Sequence, residues 1–351
     1  MFAMAVSPAL AAEEKATAAA CPAEGAAAGR LPVTRIVDID AASGPIYGDI
    51  TRRAKEPNFL RPKEVVLTFD DGPMPWITKS ILDTLDRYCA KATFFEVGRM
   101  AVAYPGMVRE VLARGHTIGG HTWSHPFNLP HMKPEKAQEE IEKGLAAISL
   151  AAGGEPIAPF FRFTGLGDSD PLLAYLQTRG IASFTVDVVS DDSYISDAAK
   201  LARITLERIE ARRGGIVLFH DIKAATAKAL PVILAGLADR GYRIVHMRAK
   251  APLRPLKDYD AALSPIVAKA LPAKGEKPRM LPFYGAVGPE RMPEITALAP
   301  EPRVRNTPPP VRVAMGPRQR NATHRTDMGR SRSMVVAQPG GWAVEVRPSS
   351  R

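Results

Sequence analysis

The sequence is short of cysteine and has no long apolar run. Cys21 and Cys89 are the only cysteines among 351 residues, too few for a disulfide-stapled scaffold. They could pair in an oxidising compartment, but the position of Cys89 in a predicted helix favours a small buried residue. No segment reaches the ~18 consecutive apolar residues that a membrane-spanning helix needs, so we expect no transmembrane segment.

Net charge is nearly absent from most of the chain. Residues 252–351 contain 17 lysines and arginines against 8 acidic residues, so only +1 of the net +10 belongs to residues 1–251. The same segment holds 16 of the 32 prolines and shows no sustained helical or strand period. We therefore predict a disordered, basic, Pro-rich tail over residues 251–351. Because this tail lacks an aromatic–basic pattern, we expect no specific nucleic-acid partner.

The first residues have some features of a secretory signal. Residues 1–12, MFAMAVSPALAA, are apolar and end in small residues, but the basic n-region is missing and the apolar part is short. They predict a truncated signal peptide and hence a periplasmic or secreted protein. Residues 13–60 are Ala-rich and then irregular, which is typical of a linker and a lead-in segment.

Strands and helices alternate along the next part of the chain. Buried-strand patterns and helical spacing of apolar residues follow one another from residue 64 to residue 247. This order predicts an α/β protein with a parallel sheet, folded as a distorted (β/α) barrel of about seven strands. The predicted strands are 64–69, 92–97, 116–119, 159–163, 181–188, 215–220 and 242–247. The predicted helices are 76–88, 105–114, 134–150, 171–179, 197–212 and 224–239.

Polar side chains follow most of these strands at the point where each strand ends. The carboxyl ends of the strands of a parallel barrel meet at one rim, so these side chains should converge although they span 150 positions. The residues at strand ends are Asp70, Asp71, His121, His125, Arg162, Asp187 and His220.

The stretch VVLTFDDGP, Val65–Pro73, aims two adjacent carboxylates at a single place. Alone, Asp-Asp-Gly is typical of a solvated loop, and the pair His121 and His125 is typical of surface histidines. Together, two imidazoles and a carboxylate form a three-ligand site for a divalent ion, above all zinc, with cobalt and nickel as alternatives. The second carboxylate is then a base that activates water, and His220 is the matching acid unless it is a backbone-bonded core histidine.

Three motifs resemble the polysaccharide deacetylases, a family that includes chitin, chitooligosaccharide and peptidoglycan N-deacetylases. They are Thr-Phe-Asp-Asp-Gly-Pro at 68–73, His-Thr-Trp-Ser-His-Pro at 121–126 and Leu-Phe-His at 218–220. The resemblance spans residues 60–250 and implies a catalytic domain with a NodB-like fold. It also implies roles for individual residues: Asp70 as base, Asp71, His121 and His125 as metal ligands, His220 as acid, and Leu218 as lining of the acetyl pocket.

Two further family motifs are altered in this chain. The third reads Arg162-Phe163-Thr164-Gly165, which keeps the arginine that steadies the base. Gly165 replaces a tyrosine, and the oxyanion donor in the family is a backbone N–H at this point. The fourth keeps Asp187, expected to tune His220, but has Asp191 in place of a groove-lining tryptophan.

The sequence therefore predicts a metal-dependent hydrolase that removes N-acetyl groups from an N-acetylated glycan of chitooligosaccharide or peptidoglycan type. One alternative keeps the chemistry but changes the substrate to a non-sugar amide or ester. Another is an inactive glycan-binding protein, which would require the loss of a core group that this chain retains. Trp76 and Trp123 lie near the motifs and are predicted either to contact sugar or to pack in the core.

Overall fold

The strand that carries the Asp-Asp pair lies in the middle of the sheet. A computed structural model of the chain describes residues 30–50 and 58–270. In it, Glu64–Asp70 is buried at every position, as expected for a strand of a parallel sheet covered on both faces.

Strands and helices alternate through the described residues. The strands are β1 (Val33–Ile39), β2 (Ile46–Tyr47), β3 (Glu64–Asp70), β4 (Ala92–Glu96), β5 (Thr117–Gly120), β6 (Phe160–Phe161), β7 (Ala182–Phe184), β8 (Val188–Val189), β9 (Gly215–His220) and β10 (Arg243–Ala249). The helices are α1 (Pro75–Tyr88), α2 (Gly98–Ala103), α3 (Pro105–Ala113), α4 (Pro134–Ala152), α5 (Asp170–Thr178), α6 (Ala198–Arg212), α7 (Ala224–Asp239) and α8 (Lys257–Ala270).

All strand pairs in the described residues are parallel and form a distorted barrel. β3 pairs with β9 on one side and with β4 on the other, and the order continues through β5, β6 and β7 to β2. β8 pairs with β9, so the chain crosses from one edge of the sheet to the other between β7 and β8. The described strands leave a seam without strand pairing at this crossing. The predicted α/β class and barrel-like architecture are confirmed.

Side-chain alternation along β3 divides the core into two parts. Leu67 and Phe69 point toward the helices and join a large outer cluster. Val66 points the opposite way and packs inside the barrel with Phe95 and Leu218. Asp70 lies two and four residues after Thr68 and Val66, so its side chain shares the inner face.

The ends of the region predicted to be catalytic differ from the sequence prediction. The predicted lead-in contains two strands, and β1 extends the sheet by pairing with β10. The predicted tail begins too early at residue 251, because α8 packs on α4 through the buried Leu263. The predictions for residues 1–29 and 271–351 lie outside the described residues.

One of the two cysteines lies among the described residues. Cys89 ends α1, is buried, and takes part in a disulfide bond. The other cysteine of the chain, Cys21, lies outside the described residues. Over residues 30–50 and 58–270, no helix has the length and apolar character required to cross a membrane.

Candidate active site

Three predicted metal ligands meet at the carboxyl ends of β3 and β5. Asp71 directly follows β3, and His121 directly follows β5, with His125 four residues further on. The ligand atoms of these three residues all lie within 4.8 Å of one another. The Nε2 atoms of His121 and His125 lie 3.4 and 3.1 Å from Asp71 Oδ1. The structure thus brings an aspartate and two histidines, distant in sequence, to one point.

The donor set of this triad fits a divalent cation. His121 Nδ1 donates to the backbone carbonyl of Arg162 at 2.7 Å, so the Nε2 that faces Asp71 carries a lone pair in the neutral ring. Asp71 Oδ1 is buried and has no hydrogen-bond donor among the described residues. Converging lone pairs of this kind suit zinc, cobalt or nickel.

The backbone that carries the ligands is strained and closely packed. Asp71, Thr122 and His125 have φ angles of 79°, 68° and 59°, a left-handed region that costs non-glycine residues of order 1–3 kcal/mol each. The His125 N–H donates to Thr122 Oγ1 at 3.0 Å and holds the turn. A Cβ on Gly144 of α4 would lie 2.4 Å from the Thr122 backbone, so glycine allows the helix to support this loop.

The predicted base is fixed by a buried arginine. Arg162 follows β6, is fully buried, and places Nη1 2.7 Å from Asp70 Oδ1. The same guanidinium donates to Thr68 Oγ1 at 2.8 Å and to the Phe184 carbonyl at 3.2 Å. Asp70 Oδ2 lies on the metal side, 3.9 Å from His121 Nε2. The arginine thus occupies one carboxylate oxygen and leaves the other facing the triad.

The predicted acid, His220, is held by a carboxylate that the sequence prediction missed. His220 Nδ1 donates to Asp192 Oδ1 at 2.7 Å, and the His220 backbone N–H donates to Asp192 Oδ2 at 2.7 Å. The Thr226 hydroxyl donates to the same Oδ2 at 2.5 Å. Burial opposes protonation, but Asp192 prevails and raises the pKa of His220 to about 9. The free Nε2 lies 3.9 Å from Asp71 Oδ2 and faces the site.

The prediction that Asp187 tunes His220 is wrong. The Asp187 carboxylate accepts the backbone N–H of Ile216 at 2.7 Å and that of Asp49 at 3.0 Å. Ile216 is near the start of β9 and His220 is its last residue, so roughly 13 Å of strand separate the two positions. The short strand β8 lies between Asp187 and the rim. Asp192 follows β8 and therefore reaches the histidine, whereas Asp187 precedes β8.

Leu218 and Gly165, the two residues predicted to bind substrate, lie on β9 and in the turn that follows β6. Leu218 precedes His220 by two residues on β9 and points to the same face, into the interior cluster. Gly165 has a φ of 59° in the short turn Thr164–Leu166 that follows β6. Thr164 Oγ1 donates to the Pro126 carbonyl at 2.7 Å and ties this turn to the loop that carries His125.

Two further acids, neither assigned a role by the motifs, lie buried behind the triad. Asp221 accepts a hydrogen bond from Thr78 Oγ1 at 2.7 Å, and burial together with the charge of Asp71 raises its pKa to about 7. A Cβ on Gly72 would lie 2.1 Å from Asp221 Oδ2, which explains the glycine after the Asp-Asp pair. Glu96 is 1% exposed, and burial followed by the charge of Asp221 raises its pKa well above the usual range. Both shifts favour the neutral form of these acids near Asp71.

The two tryptophans near the motifs, Trp76 and Trp123, are both half-buried. Trp123 is half-buried, packs with the cluster of Ala146 and Ala147 on α4, and has Lys143 Nζ 5.0 Å from its ring centroid. Of the two predicted alternatives, the packing role therefore fits Trp123 better. The Asp191 that replaces the family tryptophan places its carboxylate 2.6 Å from Arg208 Nη2.

Known proteins resemble this chain in sequence and in structure. Residues 59–183 match the family model of polysaccharide deacetylases. A peptidoglycan-N-acetylglucosamine deacetylase of Bacillus cereus is 33% identical over 192 residues, which are 52% of this chain and 85% of that protein. The enzyme of the same description from Listeria monocytogenes is 33% identical over 186 residues, but the chain spans only 38% of its length.

A solved structure supports the same relationship. The peptidoglycan deacetylase Bd3279 of Bdellovibrio bacteriovorus superimposes with a TM-score of 0.57 and 33% sequence identity. The superposition covers 64% of this chain and 61% of that one. The sequence match extends over most of the Bacillus cereus protein, and the motif residues lie together at one rim of the shared fold. The chain therefore belongs to the polysaccharide deacetylase family.

Proposed function

We propose that this protein is a divalent-metal-dependent hydrolase that removes N-acetyl groups from an N-acetylated glycan of peptidoglycan or chitooligosaccharide type. The observation that carries the proposal is the convergence of Asp71, His121 and His125 within 4.8 Å, beside Asp70 and His220. Zinc is the proposed ion, with cobalt and nickel as substitutes that suit the same donors.

The residues around the triad supply the steps of amide hydrolysis. When bound, the ion acts as a Lewis acid and lowers the pKa of water toward ~7. Asp70 Oδ2 takes the proton of the water that attacks the acetyl carbonyl carbon, while Arg162 keeps the other oxygen occupied. The Gly165 N–H stabilises the oxyanion, and His220 Nε2 protonates the nitrogen as the C–N bond breaks. The products are acetate and a free amine.

The relatives and Cys89 support the proposed substrate class and location. The relatives from Bacillus cereus and Listeria monocytogenes are described as acting on N-acetylglucosamine of peptidoglycan, and we extend that class to this chain. A disulfide at Cys89 suits an oxidising compartment, which supports a periplasmic or secreted protein.

A catalytically inactive glycan-binding protein is less well supported. Such a protein needs no aligned base, acid and ligand set, whereas each of these groups is retained here with hydrogen bonds that orient it. The alternative of a non-sugar amide or ester substrate uses the same groups and differs only in what occupies the groove.

The test is acetate release by the full-length protein. The purified chain would be incubated with N-acetylated chitotetraose and with peptidoglycan, first after chelation and then after addition of zinc, cobalt or nickel. We expect no acetate after chelation and restored release with metal from at least one glycan. Metal binding without acetate release from either glycan, but with hydrolysis of a small acetyl ester, would instead support the non-sugar substrate.

A further inference from the structure

Two aromatic rings are exposed beside the candidate active site. Phe127 is 77% exposed and Tyr194 is 90% exposed, the two highest values among the large hydrophobic side chains of the described residues. An exposed aromatic ring next to a reactive centre offers an apolar face on which a ligand can stack. The fold does not require either ring for its core.

Phe127 lies beside the proposed metal ligand His125. Its ring meets the ring of His125 edge to face, with the centroids 4.7 Å apart and an interplanar angle of 85°. It also lies against Gly165, where an added Cβ would be 3.4 Å from the Phe127 Cδ1 atom. The ring is therefore next to both a proposed metal ligand and the proposed oxyanion donor.

The loop around Phe127 is fixed, so the ring is held in place before a ligand arrives. The Pro126 carbonyl accepts a hydrogen bond from Thr164 Oγ1, and Leu129 is fully buried and donates its N–H to the same carbonyl at 3.2 Å. A rigid aromatic side chain loses little conformational entropy when it binds a ligand.

Tyr194 belongs to the turn that contacts the proposed acid, His220. The neighbouring Ser193 places Oγ 3.4 Å from His220 Nδ1, and Asp192 of the same turn holds the imidazole. The Tyr194 N–H donates to the Asp191 carbonyl at 2.9 Å, and Ile195 packs against the outer core. The turn is thus anchored on both sides of its one fully projecting ring.

Each ring belongs to the surroundings of a different histidine of the site. His125, which the Phe127 ring contacts, approaches Asp71 Oδ1, whereas His220, which the turn of Tyr194 contacts through Ser193, approaches Asp71 Oδ2. The apolar face of a pyranose ring stacks on an aromatic side chain, and a glycan extends from its acetylated sugar in both directions. The tryptophan that lines the groove in the family is replaced here by Asp191. The Asp191 side chain forms an ion pair with Arg208.

We propose that Phe127 and Tyr194 form two sugar-binding subsites that flank the acetylated sugar of an N-acetylated glycan chain. This assignment rests on the proposed function for its substrate class. It makes both residues determinants of glycan affinity rather than catalytic residues, because neither provides a group to the reaction.

The primary experiment measures binding without turnover. Metal-stripped full-length protein would be titrated with N-acetylated chitotetraose by calorimetry, as wild type, Phe127→Ala and Tyr194→Ala. We expect each substitution to raise the dissociation constant roughly 2- to 12-fold, the range of one aromatic stacking contact. Phe127→Tyr and Tyr194→Phe keep a ring and should bind within about twofold of wild type. Val232→Ala truncates an exposed apolar side chain on α7 and serves as the matched control.

A kinetic experiment separates binding from structural damage. With metal restored, the alanine variants should show a raised KM for the tetrasaccharide, Phe127→Tyr and Tyr194→Phe should restore it, and Val232→Ala should match the wild type. Equal tetrasaccharide binding by wild type and both alanine variants would overturn the proposal, as would an equal loss of affinity in Val232→Ala, or absence of tetrasaccharide binding by the wild type. If the wild type binds the glycan through these rings but releases no acetate, the subsites stand and the deacetylase function fails.

Discussion

Asp192 Oδ1 lies 2.7 Å from His220 Nδ1, and this pair fixes which nitrogen of the histidine faces the site. We predict that Asp192→Asn lowers kcat about 10- to 100-fold, the size of effect found when the carboxylate partner of a metal-bound histidine is removed. It should also move the alkaline limb of the pH profile of kcat to lower pH. The reason is that Asp192 raises the pKa of His220 to about 9 against the effect of burial, and protonated His220 is lost as pH rises. Acetate release from pH 5 to pH 10 measures both effects.

Asp187→Asn is the matched control for that experiment. The Asp187 carboxylate binds the backbone N–H of Ile216, near the other end of β9, so its loss should lower stability and leave the pH profile unchanged. A shifted profile in Asp187→Asn with a wild-type profile in Asp192→Asn would contradict the assignment of the partner.

The different roles proposed for Asp70, the base, and Asp71, a metal ligand, give a second prediction. Asp70→Asn should lower turnover about 10²- to 10⁴-fold, because it removes a general base while the ligand set is intact. Metal content, measured by atomic emission after dialysis, should equal that of the wild type. His121→Ala should lose both metal and turnover, because it removes one of three donors that converge within 4.8 Å. Retained turnover in either variant would overturn the assigned roles.

Arg162 gives a third prediction, on stability. Arg162→Met should lower the free energy of unfolding by about 3–5 kcal/mol, because it leaves the buried Asp70 carboxylate unpaired. The double variant Arg162→Met with Asp70→Asn has no such charge and should recover part of the loss. Urea unfolding of the two single variants and the double variant measures the coupling. Purely additive losses would show that the pair contributes no coupling energy.

The rim of the barrel was predictable because it depends on strand ends. Asp70 pairs in register with His220, and both end buried strands whose apolar residues are contiguous in the sequence. The carboxyl ends of parallel strands lie at the same edge, so strand assignment alone brings the motif residues together. The His121 and His125 loop follows from the same rule applied to β5.

The partner of His220 was not predictable in the same way. Asp187 directly follows Val186 and Asp192 follows Ser190 and Asp191, and the choice between them depends on how many residues the chain uses between β7 and the rim. Asp191 has a φ of 64°, which turns the chain so that the next residue faces the histidine. The residue sequence Ser190-Asp191-Asp192 offers acids at the right distance but does not specify this turn.

The outer elements escaped prediction because their burial pattern is weak or reversed. In β1, Ile36 is 47% exposed, while Arg35 points inward and forms an ion pair with the buried Glu64. A polar residue on the inner face interrupts the alternation of apolar and polar residues from which a strand is predicted. In α8, only Leu263 and Val267 are buried and Pro265 interrupts the helix, so its period is too faint to separate it from the tail.

The last prediction concerns two histidines far from the reactive rim. His116 Nδ1 accepts the Ala92 N–H at 3.1 Å, and His246 Nε2 lies 3.0 Å from Thr117 Oγ1. Burial, helped by the charge of Lys91, lowers the pKa of His116 well below its usual range and that of His246 to about 4. Both histidines are therefore neutral in the folded protein and take up protons near pH 6.5 once unfolded.

The contribution of these two histidines to the free energy of unfolding should therefore be constant above pH 6.5. It should fall as the pH decreases toward 4. The unfolded state binds more protons in that window, and His246 alone accounts for on the order of 3 kcal/mol. Urea unfolding of the metal-stripped protein at pH 7, 6, 5 and 4.5 measures the slope. His246→Gln keeps a donor for Thr117 without a titrating ring, so its stability should decline less steeply over this range. An equal slope in this variant and in the wild type would show that His246 is not held neutral by the fold.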